Sequence, residues 1–326
     1  MSNGELARAF VYPHRSQNEF LDLNKKALKK LGYDVRETNL DFVKFLISSP
    51  KQAVVILNWV EDRVYGRSYK RVVQHFLKMI GLVIFSKIFA KKTVWVKHNF
   101  KPHNSAGSMK RFKFICGLYS FLKIKPVALE EYFNTPSLIH PLYKNDKTIL
   151  NNLGLNKKYE NEVIFFGGIK PYKNLDLVLQ DWPLSLSLKI VGKCSDASYI
   201  NKLNSIIIER RLNVTWDNRF VSRSELDDLL NVSKFVLLPH AEGTMISSGS
   251  FYHAIGEGCN ILTNDSTFGI EKSKRHTFVH VIDIKSLSNE LLEDIFVSRD
   301  KVLEEVVSCY GEDKVVSSWE LILASS

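Results

Sequence analysis

Residues 235–263, FVLLPHAEGTMISSGSFYHAIGEGCNILT, read as one unit of a strand-helix-strand fold. The apolar run Phe235-Val236-Leu237-Leu238 stops at Pro239, as a buried parallel strand does. A loop leads to Ser247-Ser248-Gly249-Ser250, then a helix-like segment from Phe251 to Gly256, then a second apolar run from Ile261. Strand, small polar loop, helix start and next strand is how α/β folds present a helix N-terminus to an anion. The first-turn N–H groups have no partner inside the helix, and the helix dipole favours negative charge there. An ordinary serine N-cap has the same letters, so this stretch alone leaves both readings open.

Working outward, the same alternation recurs on both sides. Towards the N-terminus, Ala7–Tyr12, Ala53–Leu57 and Thr93–Val96 read as strands. The polar loops His14–Asn18, Asn58–Glu61 and Lys97–His103 follow them. Asn18 is a fair N-cap for a helix carrying Phe20, Leu21, Leu28 and Leu31, ended by Gly32. A second set begins with the strand Val163–Phe166, followed by Gly167-Gly168-Ile169-Lys170-Pro171-Tyr172-Lys173-Asn174 and a helix from Leu175 to Leu179. Leu186–Val191, helix Ser198–Arg210, strand Val214–Trp216 and helix Ser224–Leu230 complete it, and Val302–Ala324 reads as helical. Two such sets predict an α/β protein of two Rossmann-like domains facing a cleft, with a C-terminal helix able to pack back across the first. The expected boundaries are 1–150, 151–305 and 306–326, with 127–158 holding a last strand and a linker.

Charge is unevenly placed. The net charge is +10, yet residues 63–125 hold fifteen Lys/Arg and no Asp/Glu. The remaining residues, with thirty Lys/Arg against thirty-five Asp/Glu, are net acidic. Aromatic and aliphatic side chains interleave with the basic ones, as in MKRFKFICGLYSFLKIK. Such a segment suits an anionic lipid surface, which attracts each nearby Lys/Arg by roughly 1 kcal/mol. A solvated basic face is the competing reading, and no nucleic-acid recognition motif is present. Residues 79–90 are the most apolar run, about twelve residues long and carrying Lys87, and are predicted too short to cross a bilayer. The N-terminus lacks the charged-then-apolar pattern of a secretory leader. The four cysteines match no metal or redox spacing, which predicts free thiols in a reducing compartment.

Lys170 and Lys173 flank a strand end that contains Gly-Gly. Two amines at one helix start, opposite the start at Ser248-Gly249-Ser250, would hold a diphosphate from both sides. Two exposed lysines with no ligand are the plainer alternative. The stretch is neither a GxGxxG fingerprint nor a Walker A sequence. No Asp-x-Asp occurs, so a carboxylate-held metal is not signalled and no cofactor is expected.

Taken in order, FFGGIKPYKNLDLVL, KIVGK, RFVSRSELDDLLNVSKFVLLPH and SSGSFYHAIGEGCNIL resemble the donor-nucleotide domain of GT-B glycosyltransferases. The subgroup resembled is the bacterial polysaccharide-assembly enzymes of the glycogen-synthase-like clan. In the first domain LNWVE, WVKHNFKPH and IHPLY are similar to that subgroup's strand ends and pre-linker segment. The resemblance implies that Lys173, with Lys170, binds the donor diphosphate, and that Ser248, Gly249 and Ser250 form the phosphate-contacting helix start. It places Phe220-Val221 near the nucleotide base. The clan's usual arginine falls at Gly168, and its Glu-x7-Glu carboxylates fall at Met245 and His253, with Glu242 offset by three residues.

The implied activity is metal-independent transfer of a hexose from a nucleotide sugar to a polyprenyl-diphosphate-linked oligosaccharide in surface polysaccharide assembly. The implied place is the cytoplasmic face of the cell membrane, held peripherally. For an inverting reaction Glu61 and His98 are the candidate bases, both at strand ends of the acceptor-side domain. A surface carboxylate and a packed histidine are the respective alternatives. Asn18 and His103 are candidate acceptor-side contacts, and His240 a candidate donor contact. An epimerase or hydrolase of the same fold, and a non-catalytic sugar- or lipid-binding descendant, are the competing functions.

Overall fold

A computed structural model describes residues 7–13, 18–62, 64, 68–102, 107–133, 135–155, 158–243 and 246–325. The chain forms two compact units: residues 1–141, 245–247 and 312–326 make the first, and 142–244 with 248–311 the second.

In the first unit β1 (Arg8–Tyr12), α1 (Glu19–Lys30), β2 (Asp34–Glu37), α2 (Leu40–Ser48), β3 (Ala53–Asn58), α3 (Tyr69–Phe89), β4 (Lys92–Val96), α4 (Met109–Phe121) and β5 (Pro126–Val127) alternate along the chain. All strand pairings are parallel, in the order β2-β1-β3-β4-β5. β3, AVVILN, is central and buried at all six positions, whereas the edge strand β2, DVRE, is charged and half open. That contrast is what a sheet covered on both faces requires. β1 feeds β2 on one side and β3 pairs on the other, so the order reverses between β1 and β3. Ligands of open α/β sheets lie outside the carboxyl ends of the strands at such a reversal.

The second unit contains α5 (Asp146–Leu150), β6 (Asn161–Phe166), a short 3-10 turn (Pro171–Lys173), α6 (Leu175–Asp181), β7 (Leu188–Val191), α7 (Ala197–Glu209), β8 (Val214–Asp217), α8 (Arg223–Asn231), β9 (Ser233–Leu238), α9 (Gly249–Gly256), β10 (Asn260–Thr263), α10 (Thr267–Arg275), β11 (Val279–Val281), α11 (Asn289–Ile295) and α12 (Arg299–Tyr310). Its six strands run β11-β10-β9-β6-β7-β8, again all parallel, with the reversal between β6 and β9. Trp182, Phe165 and Phe235 are fully buried in its core.

Three features depart from the sequence prediction. Residues 142–150 group with the second unit rather than the first, because Lys144 pairs with Glu257 at 2.5 Å and α5 packs on α12. The C-terminal helix is two helices. α12 belongs to the second unit, and α13 (Glu312–Ala324) to the first, where Trp319 donates its indole N–H to Asn24 on α1 at 2.7 Å. The break falls at Gly311, where a Cβ would lie 2.5 Å from the Val307 carbonyl oxygen and 2.8 Å from Asp146.

The twelve-residue apolar run is part of a longer element. α3 spans 21 residues and is long and apolar enough, by length and composition, to cross a membrane. Val72, Met79 and Val83 extend a buried stripe back through its charged first turns and pack into the first unit's core. Leu77, Ile84 and Ile88 on its other side stay exposed.

Candidate active site

In the second unit β6 ends at Gly167, in a left-handed conformation (φ 95°) that glycine adopts without strain. A Cβ there would meet the Lys173 ammonium at 3.3 Å and the Ser250 hydroxyl at 3.7 Å. The amine and the hydroxyl therefore stand over one bare stretch of backbone, with no side chain between them. Gly192, ending β7, is packed so closely that a Cβ would sit 2.0 Å from the Gly167 carbonyl oxygen. The loop after β9 is tied to the same place, because the Ala241 N–H donates to the Tyr172 carbonyl at 3.1 Å.

The two serines divide the work that their spacing left open. Ser248 is the N-cap of α9, accepting from the Phe251 N–H at 3.4 Å, so the ordinary cap reading holds for that residue. Ser250 is free of the cap and faces Gly167. Gly249 lies between them under the Tyr143 hydroxyl, which would be 2.7 Å from a Cβ.

Lys173 is buried, its ammonium 5.3 Å from the Phe165 ring centre. Burial, and secondarily the Lys170 charge, lowers its pKa to about 8. It is therefore mostly charged at neutral pH, and an arriving anion would relieve its desolvation. Lys170 is exposed. His240, next to this cluster, is buried and kept neutral, its pKa pushed to about 3 by burial and then by Lys173. Phe220 is 83 % exposed after β8, and Val221 is half-buried.

His253 and Glu242, the residues closest to the missing carboxylate pattern, have other partners. His253 Nε2 lies 2.6 Å from Asp227 Oδ1. Glu242 accepts from the Thr267 N–H at 2.7 Å and from its hydroxyl at 3.0 Å, so it is held by the first residue of α10. Asp227, His253 and Glu257 bring ligand atoms within 4.8 Å of one another. Asp227 also accepts from Arg223 at 2.8 Å, and Glu257 holds Lys144. Protein cations already balance this donor set, so its chemistry suits an ion-pair network better than a metal.

In the first unit the loop after β3 carries the candidate base. Glu61 is 2 % exposed and accepts from the Trp95 indole N–H at 3.1 Å. Burial outweighs that hydrogen bond and raises its pKa to about 7. The surface-carboxylate alternative is thereby excluded. Trp59, two residues earlier, has φ 54°, an outlying conformation for a bulky side chain.

Trp59 stacks on His98 with ring centres 4.1 Å apart. His98 Nε2 is 3.1 Å from Asn58 Oδ1, while Asn58 Nδ2 donates to the Tyr12 carbonyl at 3.1 Å. His98 Nε2 thus carries the proton, and Nδ1 is the acceptor. Burial, then the neighbouring His140, lowers its pKa to about 3, too low for an effective base at neutral pH. His98 matches the packed-histidine alternative, bonded to a side chain rather than to backbone.

Asn18 caps α1, accepting from the Phe20 N–H at 3.0 Å. His103 and Met245 lie outside the described residues. His140 and Tyr143 were not singled out from the sequence as site residues. Both fall in or beside the IHPLY segment, which was the one available signal.

Two parallel α/β units, each with a strand-order reversal, and a glycine-lined helix start in the second, define the fold family. The fold is that of the GT-B glycosyltransferases. AviGT4, a glycosyltransferase involved in avilamycin A biosynthesis, superposes with a TM-score of 0.60 at 13% identity, covering 98% of this chain and 99% of its own. A glycosyltransferase from Rickettsia africae ESF-5 gives 0.60 at 11% identity, over 99% and 100% of the two chains. HepE of Anabaena, solved in complex with UDP-glucose, gives 0.52 at 12% identity, over 99% and 100%. No family model matches the sequence, and no curated protein matches it. At these identities the GT-B likeness is one of fold.

Proposed function

We propose that this protein is a glycosyltransferase that moves a sugar from a nucleotide-sugar donor to a polyprenyl-diphosphate-linked oligosaccharide during surface polysaccharide assembly. The observation that carries the donor half is the convergence of Lys173 and Ser250 over Gly167 at the α9 N-terminus. As the glycosidic bond to the diphosphate breaks, charge develops on the leaving oxygen. An ammonium and unpaired helix N–H groups stabilise such charge without a metal. HepE's UDP-glucose complex supports a nucleotide sugar as the ligand of this fold. In an inverting displacement Glu61 takes the proton of the attacking hydroxyl, a role that a carboxylate poised near pH 7 suits.

The lipid-linked acceptor and a peripheral station at the inner membrane face rest on α3 and α4. Tyr69, Leu77 and Ile88 on α3, with Phe114 and Phe121 on α4, are large and exposed. Residues 63–125 add fifteen Lys/Arg without one carboxylate. An apolar face rimmed by ammonium groups fits the headgroup boundary of an anionic bilayer.

The test is nucleoside diphosphate release from a panel of nucleotide sugars, with and without a polyprenyl-diphosphate-linked saccharide. Release that requires the acceptor is expected. Release without it would assign a hydrolase or epimerase, and no release from any donor would overturn the transferase.

A further inference from the structure

The first unit carries a concave feature at the opposite end of its sheet from Glu61. A pocket of about 520 Å³ opens where β3, β4 and β5 begin, lined by Lys51, Lys87, Lys91, Lys92, Lys123 and Lys125. Ile322 to Ser325, at the end of α13, form one wall. No Asp or Glu lines it among the described residues. Lys92 belongs to the frame, because its ammonium donates to the Ile322 carbonyl at 2.6 Å and to the Ser325 carbonyl. Lys51 spends one donor on the Lys87 carbonyl at 3.3 Å. Lys87, Lys91, Lys123 and Lys125 form no ion pair or side-chain hydrogen bond among the described residues.

Two of these lysines stand where the backbone favours glycine. Lys51 has φ 64° and Lys123 has φ 54°, both just beyond helix ends. Glycine is the usual residue at such left-handed positions, and a long β-carbon-bearing side chain there is strained. Like charges gathered in one concavity also repel. Both costs fall in one pocket, and a bound anion would offset the second of them.

A single monovalent counterion cannot balance five or six ammoniums, whereas clustered phosphates can. Lysine suits them as a point charge that does not fix orientation. We propose that this lysine-ringed pocket binds a clustered phosphate anion, at a site separate from the donor diphosphate cradle. A soluble polyphosphate and a phospholipid headgroup present the same chemistry.

The test is calorimetric titration of inorganic tripolyphosphate at low salt into Lys173→Ala protein, in which the donor cradle is disabled. Single-site binding is expected. Adding Lys51→Gly and Lys123→Gly should weaken it at least about tenfold, roughly 1.4 kcal/mol. The same pair should leave the melting temperature equal or higher, since glycine relieves both backbones. Vesicle flotation then separates the two sources. If vesicles carrying a lipid with two phosphates in its headgroup bind the protein, tripolyphosphate competes and the glycine pair loses binding, the occupant is a lipid headgroup. If only the soluble arm responds to the pair, it is a free anion. An unchanged tripolyphosphate isotherm in the glycine pair, or no binding before it, overturns the proposal.

Discussion

The loop after β3, the third strand of its unit, and the loop after β6, the first strand of the other, do opposite things with charge. Each lies beside the strand-order reversal of its sheet, and each opens on a left-handed residue, Trp59 in one and Gly167 in the other. Trp59 stacks on His98, and His98 and Glu61 are buried, the first held uncharged and the second poised near neutrality. Gly167 leaves its crevice bare, and the group above it is a buried ammonium. One strand end holds a buried carboxyl and the other a buried ammonium. Whether the residue after the strand has a side chain separates the two.

The comparison breaks most sharply at Glu61. Glu61→Gln should cut sugar transfer by about 10³-fold while donor affinity, measured by calorimetry, stays unchanged. Near-normal transfer would remove Glu61 as the base. In the intact protein kcat/KM should rise through about pH 7 as Glu61 loses its proton and fall above about pH 8 as Lys173 loses its own.

Gly192→Ala comes next. A methyl 2.0 Å from the Gly167 carbonyl oxygen must push the β6 loop aside. A stability loss of about 3 kcal/mol is expected in denaturant titration, with donor binding lost in parallel. Unaltered stability would show that the two loops do not depend on their contact.

Lys173→Ala should weaken nucleoside diphosphate binding by about 2–3 kcal/mol, the worth of a charged hydrogen bond. Wild-type affinity should fall from pH 7 to pH 9, because the ammonium that attracts the anion titrates at about 8, and this fall should vanish in the variant. A fall that persists in the variant would place the titrating group elsewhere.

A last expected effect concerns the pH dependence of stability. Glu61 has a folded pKa of about 7, above its ordinary 4.5. The folded state therefore binds the extra proton between those values, and that contribution is lost as pH rises from 4.5 through 7. Glu61→Gln should remove this dependence and be more stable than wild type at pH 8 by about 3 kcal/mol. An equal melting temperature at pH 8 would mean that Glu61 is more hydrated than its burial indicates.

Much of the fold was legible because its signals are local. AVVIL at 53–57 and FVLL at 235–238 are continuous apolar runs that only a doubly covered strand buries, and both are strands. Asn18, expected as a cap, accepts from the Phe20 N–H as helix geometry requires. The apolar run 79–90 marks only the later turns of α3, because its first turns mix charges with a core stripe and composition hides the periodicity there. In the candidate site Lys173 and Ser250 were legible through their glycine-rich contexts. That the two loops would face each other was expected; that Lys173 and Ser250 both stand over Gly167 was not, since 77 residues of chain separate them.

Sequence alone thus determined the alternation of strands and helices, the basic region and the residue types available at each strand end. These follow from periodicity and local backbone preference, which act over a few residues. Tertiary structure decided which serine caps α9 and which faces the lysine, and that Glu61 is buried beside Trp95. It also decided that His98 is neutral and that six lysines ring one pocket. Those outcomes depend on desolvation and on packing between distant segments, and neither is written in any local stretch.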